Sequence, residues 1–142
     1  MRHVLLATDG SSGGDRAADV AAELAKATGA KFSVLTVGGN LSRDEMEHLS
    51  RGERNIGDAL DALSDRILVT AAERVRSAGV SEIHCEVGWG DPAEVIIETA
   101  ERLHADTIVV GRRGRGRLAG LLLGSVSQKV ATLAPCVVIL VP

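Results

Sequence analysis

Two short segments of the chain carry residue types at spacings that suit anion chemistry. In the first, Gly111-Arg112-Arg113-Gly114 is followed, nine residues later, by Gly124-Ser125. Gly111 and Gly114 lack side chains, so backbone N–H groups there can approach a phosphate with no Cβ in the way. Gly124 and Ser125 lead into a helical stretch with Ser125 as its N-cap and Gln128 at N3. At such a helix start, unpaired N–H groups and the dipole both favour negative charge. The Ser125 and Ser127 hydroxyls add donors. Singly, each glycine shapes a turn and Ser125 caps a helix; several together behind a strand make an anion site. The second segment, Ala7-Thr8-Asp9-Gly10-Ser11, also follows an apolar run. Asp9 there has the ordinary reading of an Asx-turn residue that ends a strand.

Other chemistries find little support. No Gly-Lys-Ser/Thr tripeptide makes a P-loop, and no lysine is placed to reach a phosphate. His3, His48, His84 and His104 form no metal-ligand spacing, and Cys85 and Cys136 are too few for a disulfide scaffold or a four-thiolate zinc site. No general base, water-positioning glutamine or Ser-His-Asp ordering accompanies the glycines. That favours retention of a phosphate ligand over its rapid turnover. Arg112, Arg113, Arg115 and Arg117 crowd the glycine loop, where they either clamp a polyanion or form a solvated charge run.

The elements that must position these groups follow from the apolar pattern. His3–Thr8, Lys31–Val37, Glu82–Val87, Thr107–Val110 and Val137–Val141 have the length and β-branched content of strands. Helical spacing covers about Gly14–Thr28, with Ala17, Ala18, Ala21, Leu24 and Ala25 on one face before a C′ glycine at Gly29. It also covers Ile56–Ala78, with Leu60, Leu63, Ile67, Ala71 and Val75 three and four apart. Asp91-Pro92-Ala93-Glu94 orders an N-cap, a proline at N1 and a capping-box glutamate before Ile96, Ala100 and Leu103. Strands alternating with helices predict right-handed crossovers and one open, parallel five-stranded sheet with helices on both faces. Ligands of such sheets bind beyond the carboxyl ends of the strands, where both segments fall. The polar stretch Gly38–Asn55 is expected to be a long connection, with a short helix around Arg43–Leu49.

Composition narrows the function classes. At 142 residues and 45% hydrophobic content the chain makes one domain with a sufficient core. Its net charge of −3 offers no general attraction to nucleic acid or anionic membrane. Phe32 and Trp89 are its only aromatics, so base-stacking platforms for single-stranded nucleic acid cannot be built. No apolar run approaches a membrane span and no export signal is present, so a cytoplasmic setting is expected.

Gly111-x-x-Gly114, nine residues, then Gly124-Ser125 resembles the ATP-binding signature G-x-x-G-x9-G-[S/T] of the universal stress protein family. HVLLATDGS, GDPAEVI and GLLLGSVSQKVATLAPCVVILV resemble that family's opening strand, its turn into the third helix and its closing segment. The resemblance implies a Rossmann-like fold with strand order 3-2-1-4-5 and ATP, alone or with Mg2+, as ligand. Carried over, it places Ala7, Thr8 and Asp9 on the nucleoside side, with the Asp9 carboxylate accepting from ribose or base, and has Val37, at the end of the second strand, offer backbone contacts to adenine. Val110 and Gly111 would pack on the sugar. Arg113, Gly114, Gly124, Ser125, Val126 and Ser127 would hold the phosphates. The resemblance also implies a regulatory or protective role in stress, with slow or no hydrolysis, and a homodimer through Val137–Val141. That strand is an edge in the implied order, and its apolar run invites pairing with its own copy. A nucleotide-independent interaction module and a weak ATPase remain the alternatives.

Overall fold

The computed structural model describes residues 1–39, 56–114 and 122–142. Strands β1 (His3–Ala7), β2 (Lys31–Gly38), β3 (Ile83–Trp89), β4 (Thr107–Gly111) and β5 (Val137–Val141) alternate with helices α1 (Ser12–Thr28), α2 (Ile56–Ser77), α3 (Pro92–Arg102) and α4 (Ser125–Leu133). All pairings are parallel, in the order β3-β2-β1-β4-β5, as the family resemblance implied. The order reverses between β1 and β4, which pair from Val4↔Thr107 to Ala7↔Val110. The expected connection Gly38–Asn55, with its short helix at Arg43–Leu49, lies outside the described residues from position 40 onward, as do Arg115 and Arg117.

Strand alternation sends successive residues to opposite faces and so divides the core in two. Val4, Leu6, Phe32, Val34 and Val109 face α1 and α2, while Leu5, Ala7, Leu35, Ile108 and Val110 face α3 and α4. Val4, Leu5 and Leu6 are each wholly buried, as a central strand covered on both faces should be. Burial of side chains this size contributes about 1.5–3 kcal/mol each. Helix α1 meets the sheet through Ala17, Ala18, Ala21, Ala22 and Ala25, small enough to bring helix and strand backbones close. Leu24, expected on that face, is only partly buried at its margin.

Local signals explain most element ends, with instructive shifts. Helix α1 starts two residues before the expected Gly14, because Ser11 caps it by accepting the Gly14 N–H at 3.2 Å. Gly29 ends it in the left-handed region (φ 69°), its N–H returning to Ala25 O. The expected Asp91 cap of α3 is present, with the Glu94 N–H donating to its carboxylate at 3.0 Å. The Ser125 cap is a correction: Gly124 occupies the cap position and Ser125 is the first residue of α4. Glycine is tolerated there because its extended backbone (φ −71°, ψ 161°) leads directly into the helix. Strand β3 runs on to Trp89 because Val37↔Gly88 and Gly38↔Trp89 continue its pairing with β2. Half-exposed Trp89 covers Gly38, where any Cβ would overlap the indole. Among the described residues, no helix is long and apolar enough to cross a membrane.

Candidate functional site

Parallel strands deliver their carboxyl ends, and the amino ends of the helices that follow, to one edge of the sheet. At that edge lies a cleft of about 390 Å3, within the range of small-molecule sites. Its floor is the end of β1 (Ala7, Thr8, Asp9), of β2 (Leu35 to Gly38) and of β4 (Val110, Gly111). The loop residues Arg113 and Gly114 and the start of α4 (Gly124 to Ser127) close one end. Ser11 and Gly14 of the α1 start and Pro92 and Ile96 of α3 complete this part of the wall. All twelve residues expected at a site are therefore brought to a single cleft. Arg112 does not line it: its N–H donates to Val141 O at 2.6 Å, and its Nε is buried with no partner among the described residues.

The glycines meet protein atoms as closely as they could meet a ligand. A Cβ on Gly13 would lie 2.7 Å from Arg113 O, and one on Gly111 would lie 3.0 Å from the Gly13 carbonyl. A Cβ on Gly14 would overlap Thr8 Oγ1, and one on Gly114 would overlap Asp9 Oδ2. The loop after β4 thus packs backbone to backbone on the first turn of α1. Neither Gly111 nor Gly114 has a left-handed backbone, so what a side chain would meet there is a neighbour: the Gly13 backbone at Gly111 and the end of the Asp9 side chain at Gly114.

Hydrogen bonds hold this geometry. Asp9 Oδ1 accepts the Ser11 N–H at 3.0 Å, so the Asx-turn reading of Asp9 is correct. Its Oδ2 nevertheless faces Gly114, within the cleft. Thr8 Oγ1 accepts the Gly10 N–H at 3.2 Å, in a turn where Gly10 has φ 78°. Ser127, expected to offer its hydroxyl to a ligand, instead donates it to Gly111 O at 2.6 Å. That bond ties the third residue of α4 to the end of β4. The Gly124 N–H is likewise spent on Arg112 O at 2.8 Å. Since the Gln128 N–H takes Gly124 O, the N–H groups of Ser125, Val126 and Ser127 are the end donors of α4. They and the α1 start point two positive helix ends at one region. Beside it, the Asp91 carboxyl is held below the usual carboxylate range, first by the Glu94 N–H and then by Lys129 Nζ at 3.1 Å.

Sequence reasoning missed the opposite end of the cleft. Leu60, Leu63, Ser64 and Ile67 of α2 line it, although the sequence marked Leu60, Leu63 and Ile67 only as part of one helical apolar stripe. The same helix buries Leu68, Ala71, Ala72 and Val75 against the sheet. Helix α2 therefore overhangs the strand ends, so that one apolar stripe serves the cleft above Ile67 and the core below it. Thr36, next to Leu35 on β2, was also missed. The i, i+3, i+4, i+7 spacing of residues 60, 63, 64 and 67 was visible in the sequence; which surface it would face was not. Asp9 is the one acidic side chain lining the cleft among the described residues, and no group of three or more potential metal ligands occurs among them.

The family model of the universal stress protein family matches residues 1–142. A universal stress protein of Thermus aquaticus is 39% identical over 141 residues, spanning 99% of this chain and 98% of that protein. The crystal structure of a universal stress protein in complex with cAMP is similar at TM-score 0.74 and 33% identity, over 99% of this chain and 97% of that one. A universal stress protein from Lactobacillus plantarum has a TM-score of 0.81 at 23% identity, over 99% and 97% of the two chains, a likeness of fold.

Proposed function

This chain belongs to the universal stress protein family, and from that footing we propose that its cleft binds ATP and that occupancy serves a regulatory or protective role in stress. The observation that carries the reading is the polarity of the cleft. One end is walled by Leu60, Leu63 and Ile67, and the other by Gly114, Arg113 and the start of α4. An apolar end suits a base, and helix-end N–H groups with a guanidinium suit phosphates. Asp9, which also lines the cleft and whose Oδ2 faces Gly114, would accept from the ribose in this reading. The complex of a relative with cAMP supports an adenine nucleotide as the ligand class. Two helix starts and Arg113 around one end favour a triphosphate. A Mg2+ ion accompanying it would keep its own water and phosphate oxygens as ligands, with Asp9 the nearest acid. No arranged base or water-orienting group lines the cleft among the described residues, so hydrolysis would be slow.

A second reading, a cyclic or simple adenine monophosphate as ligand, is favoured by the cAMP-bound relative alone. A homodimer through β5 belongs to the same proposal. β5 is an edge of the sheet, and Val137 and Leu133 near its start are 59% and 58% exposed. Pairing it with its own copy about a two-fold axis would satisfy its outer row of backbone groups.

Protein purified without added nucleotide should release ATP on denaturation, identified by mass spectrometry. Calorimetry should then give micromolar-range ATP affinity, on the order of −8 kcal/mol. Binding of cAMP without ATP would move the conclusion to the second reading. Absence of any adenine-nucleotide binding would refute both.

A further inference from the structure

Among the described residues, the two most deeply buried polar side chains that line the cleft are hydroxyls set beside the apolar stripe of α2. Thr36 is 2% exposed and Ser64 4% exposed, and both line the cleft. They come from separate elements that converge on one side of the sheet. Thr36 shares the strand face of Phe32 and Val34, which pack toward α1 and α2. Ser64 sits on α2 within the stripe of Leu60, Leu63 and Ile67.

Both hydroxyls sit where the cleft, rather than the packed core, is their neighbour. Alanine is the better helix former, and a buried hydroxyl costs free energy unless it is hydrogen-bonded. The helical threonines Thr28 and Thr132 meet that cost by donating to Leu24 O at 2.7 Å and Gln128 O at 2.8 Å. Ser64 makes no such return bond among the described residues. A serine among leucines and an isoleucine, facing a cavity, is instead placed to meet a polar group that enters it. A nucleobase is such an entrant, with apolar faces for Leu60, Leu63 and Ile67 and a polar edge for hydroxyls that can donate or accept.

We infer that Thr36 and Ser64 form the hydrogen-bonding subsite for the base of the bound nucleotide and so contribute to base specificity. The inference rests on the adenine-nucleotide reading above. Phosphate groups bind at the Gly114 end whether or not this subsite is intact, and that separation makes it testable.

The experiment is titration calorimetry of wild type, Ser64→Ala, Thr36→Val and Thr36→Ser with ATP and with inorganic tripolyphosphate. Thermal denaturation checks that each variant is folded. Ser64→Ala and Thr36→Val should each bind ATP about 3–10-fold more weakly, the range of one neutral hydrogen bond. Tripolyphosphate affinity should not change, and Thr36→Ser, which keeps the hydroxyl, should stay near wild type. Unchanged ATP affinity in both Ser64→Ala and Thr36→Val would overturn the subsite while leaving ATP binding standing. Equal weakening toward tripolyphosphate would also overturn it, because the whole cleft would then have been disturbed. A wild-type protein that binds neither ligand removes the nucleotide reading itself, a separate outcome.

Discussion

Gly114→Ala isolates the contact on which the glycine loop depends. A Cβ at this position overlaps Asp9 Oδ2, while the backbone at Gly114 is one that alanine can adopt. Asp9 must therefore move, and its other oxygen holds the Ser11 N–H at 3.0 Å. Loss of that bond to a charged acceptor costs about 1.5–3 kcal/mol. The substitution also restricts the unfolded chain, which returns about 0.4–1 kcal/mol. The net expectation is a destabilisation of about 0.5–2.5 kcal/mol, taken from those two ranges. In an Asp9→Ala background the obstruction is gone, so only the unfolded-chain effect remains and Gly114→Ala should turn neutral or mildly stabilising. Urea denaturation of the four proteins in this double-mutant cycle measures the coupling, expected at about 1.5–3 kcal/mol. ATP affinity in the single Gly114→Ala variant should fall with it, and Gly114→Glu, which adds a second carboxylate beside Asp9, should abolish binding. An equal cost of Gly114→Ala in both backgrounds would refute the reasoning, since the clash would then lie with some group other than Asp9.

Arg113→Ala should weaken ATP binding by about tenfold or more and flatten its salt dependence, as expected when a charge-assisted contact is removed. Identical affinity and salt slope by calorimetry would return Arg113 to a solvated role. Val138→Lys with Leu140→Lys should yield monomeric or insoluble protein by analytical ultracentrifugation. A wild-type chain that is monomeric at high micromolar concentration would dispose of the β5 dimer. His3, whose Nδ1 lies 3.0 Å from Leu103 O and Nε2 2.8 Å from Ser33 Oγ, has its pKa lowered, chiefly by burial. The folded protein therefore resists a proton that the unfolded chain accepts near pH 6.5. Stability due to this group is full above that pH and declines as pH falls below it. Urea midpoints of His3→Gln between pH 7.5 and 5.5 should show a shallower decline than wild type, and equal slopes would count against the assignment.

The alternation of apolar runs, the caps at Asp91 and Gly29 and the position of the glycines behind β4 were all legible in the sequence, because each is a local property. Hydrophobic period depends on neighbours a few residues away, and a cap on the residue that bonds it. The expected site residues converge for the same reason: in a parallel sheet every strand end and helix start falls at one edge, so residues after β1 and β4 must meet. What a local pattern covers is a different matter. The stripe Leu60, Leu63, Ile67, Ala71 and Val75 has one period throughout, yet its first half faces the cleft and its second the core. Periodicity reports which face is apolar, and only the length by which α2 overhangs the sheet decides what that face meets. The glycines show the same division. Their spacing marked the loop as special, but the closeness of Gly13 to Arg113 O and of Gly114 to Asp9 arises from elements about a hundred residues apart in the chain. The sequence by itself determined the elements, their order of layers and the edge where chemistry would gather. The tertiary structure decided which hydroxyl is spent there, because only the fold brings Ser127 beside the Gly111 carbonyl sixteen residues back in the chain.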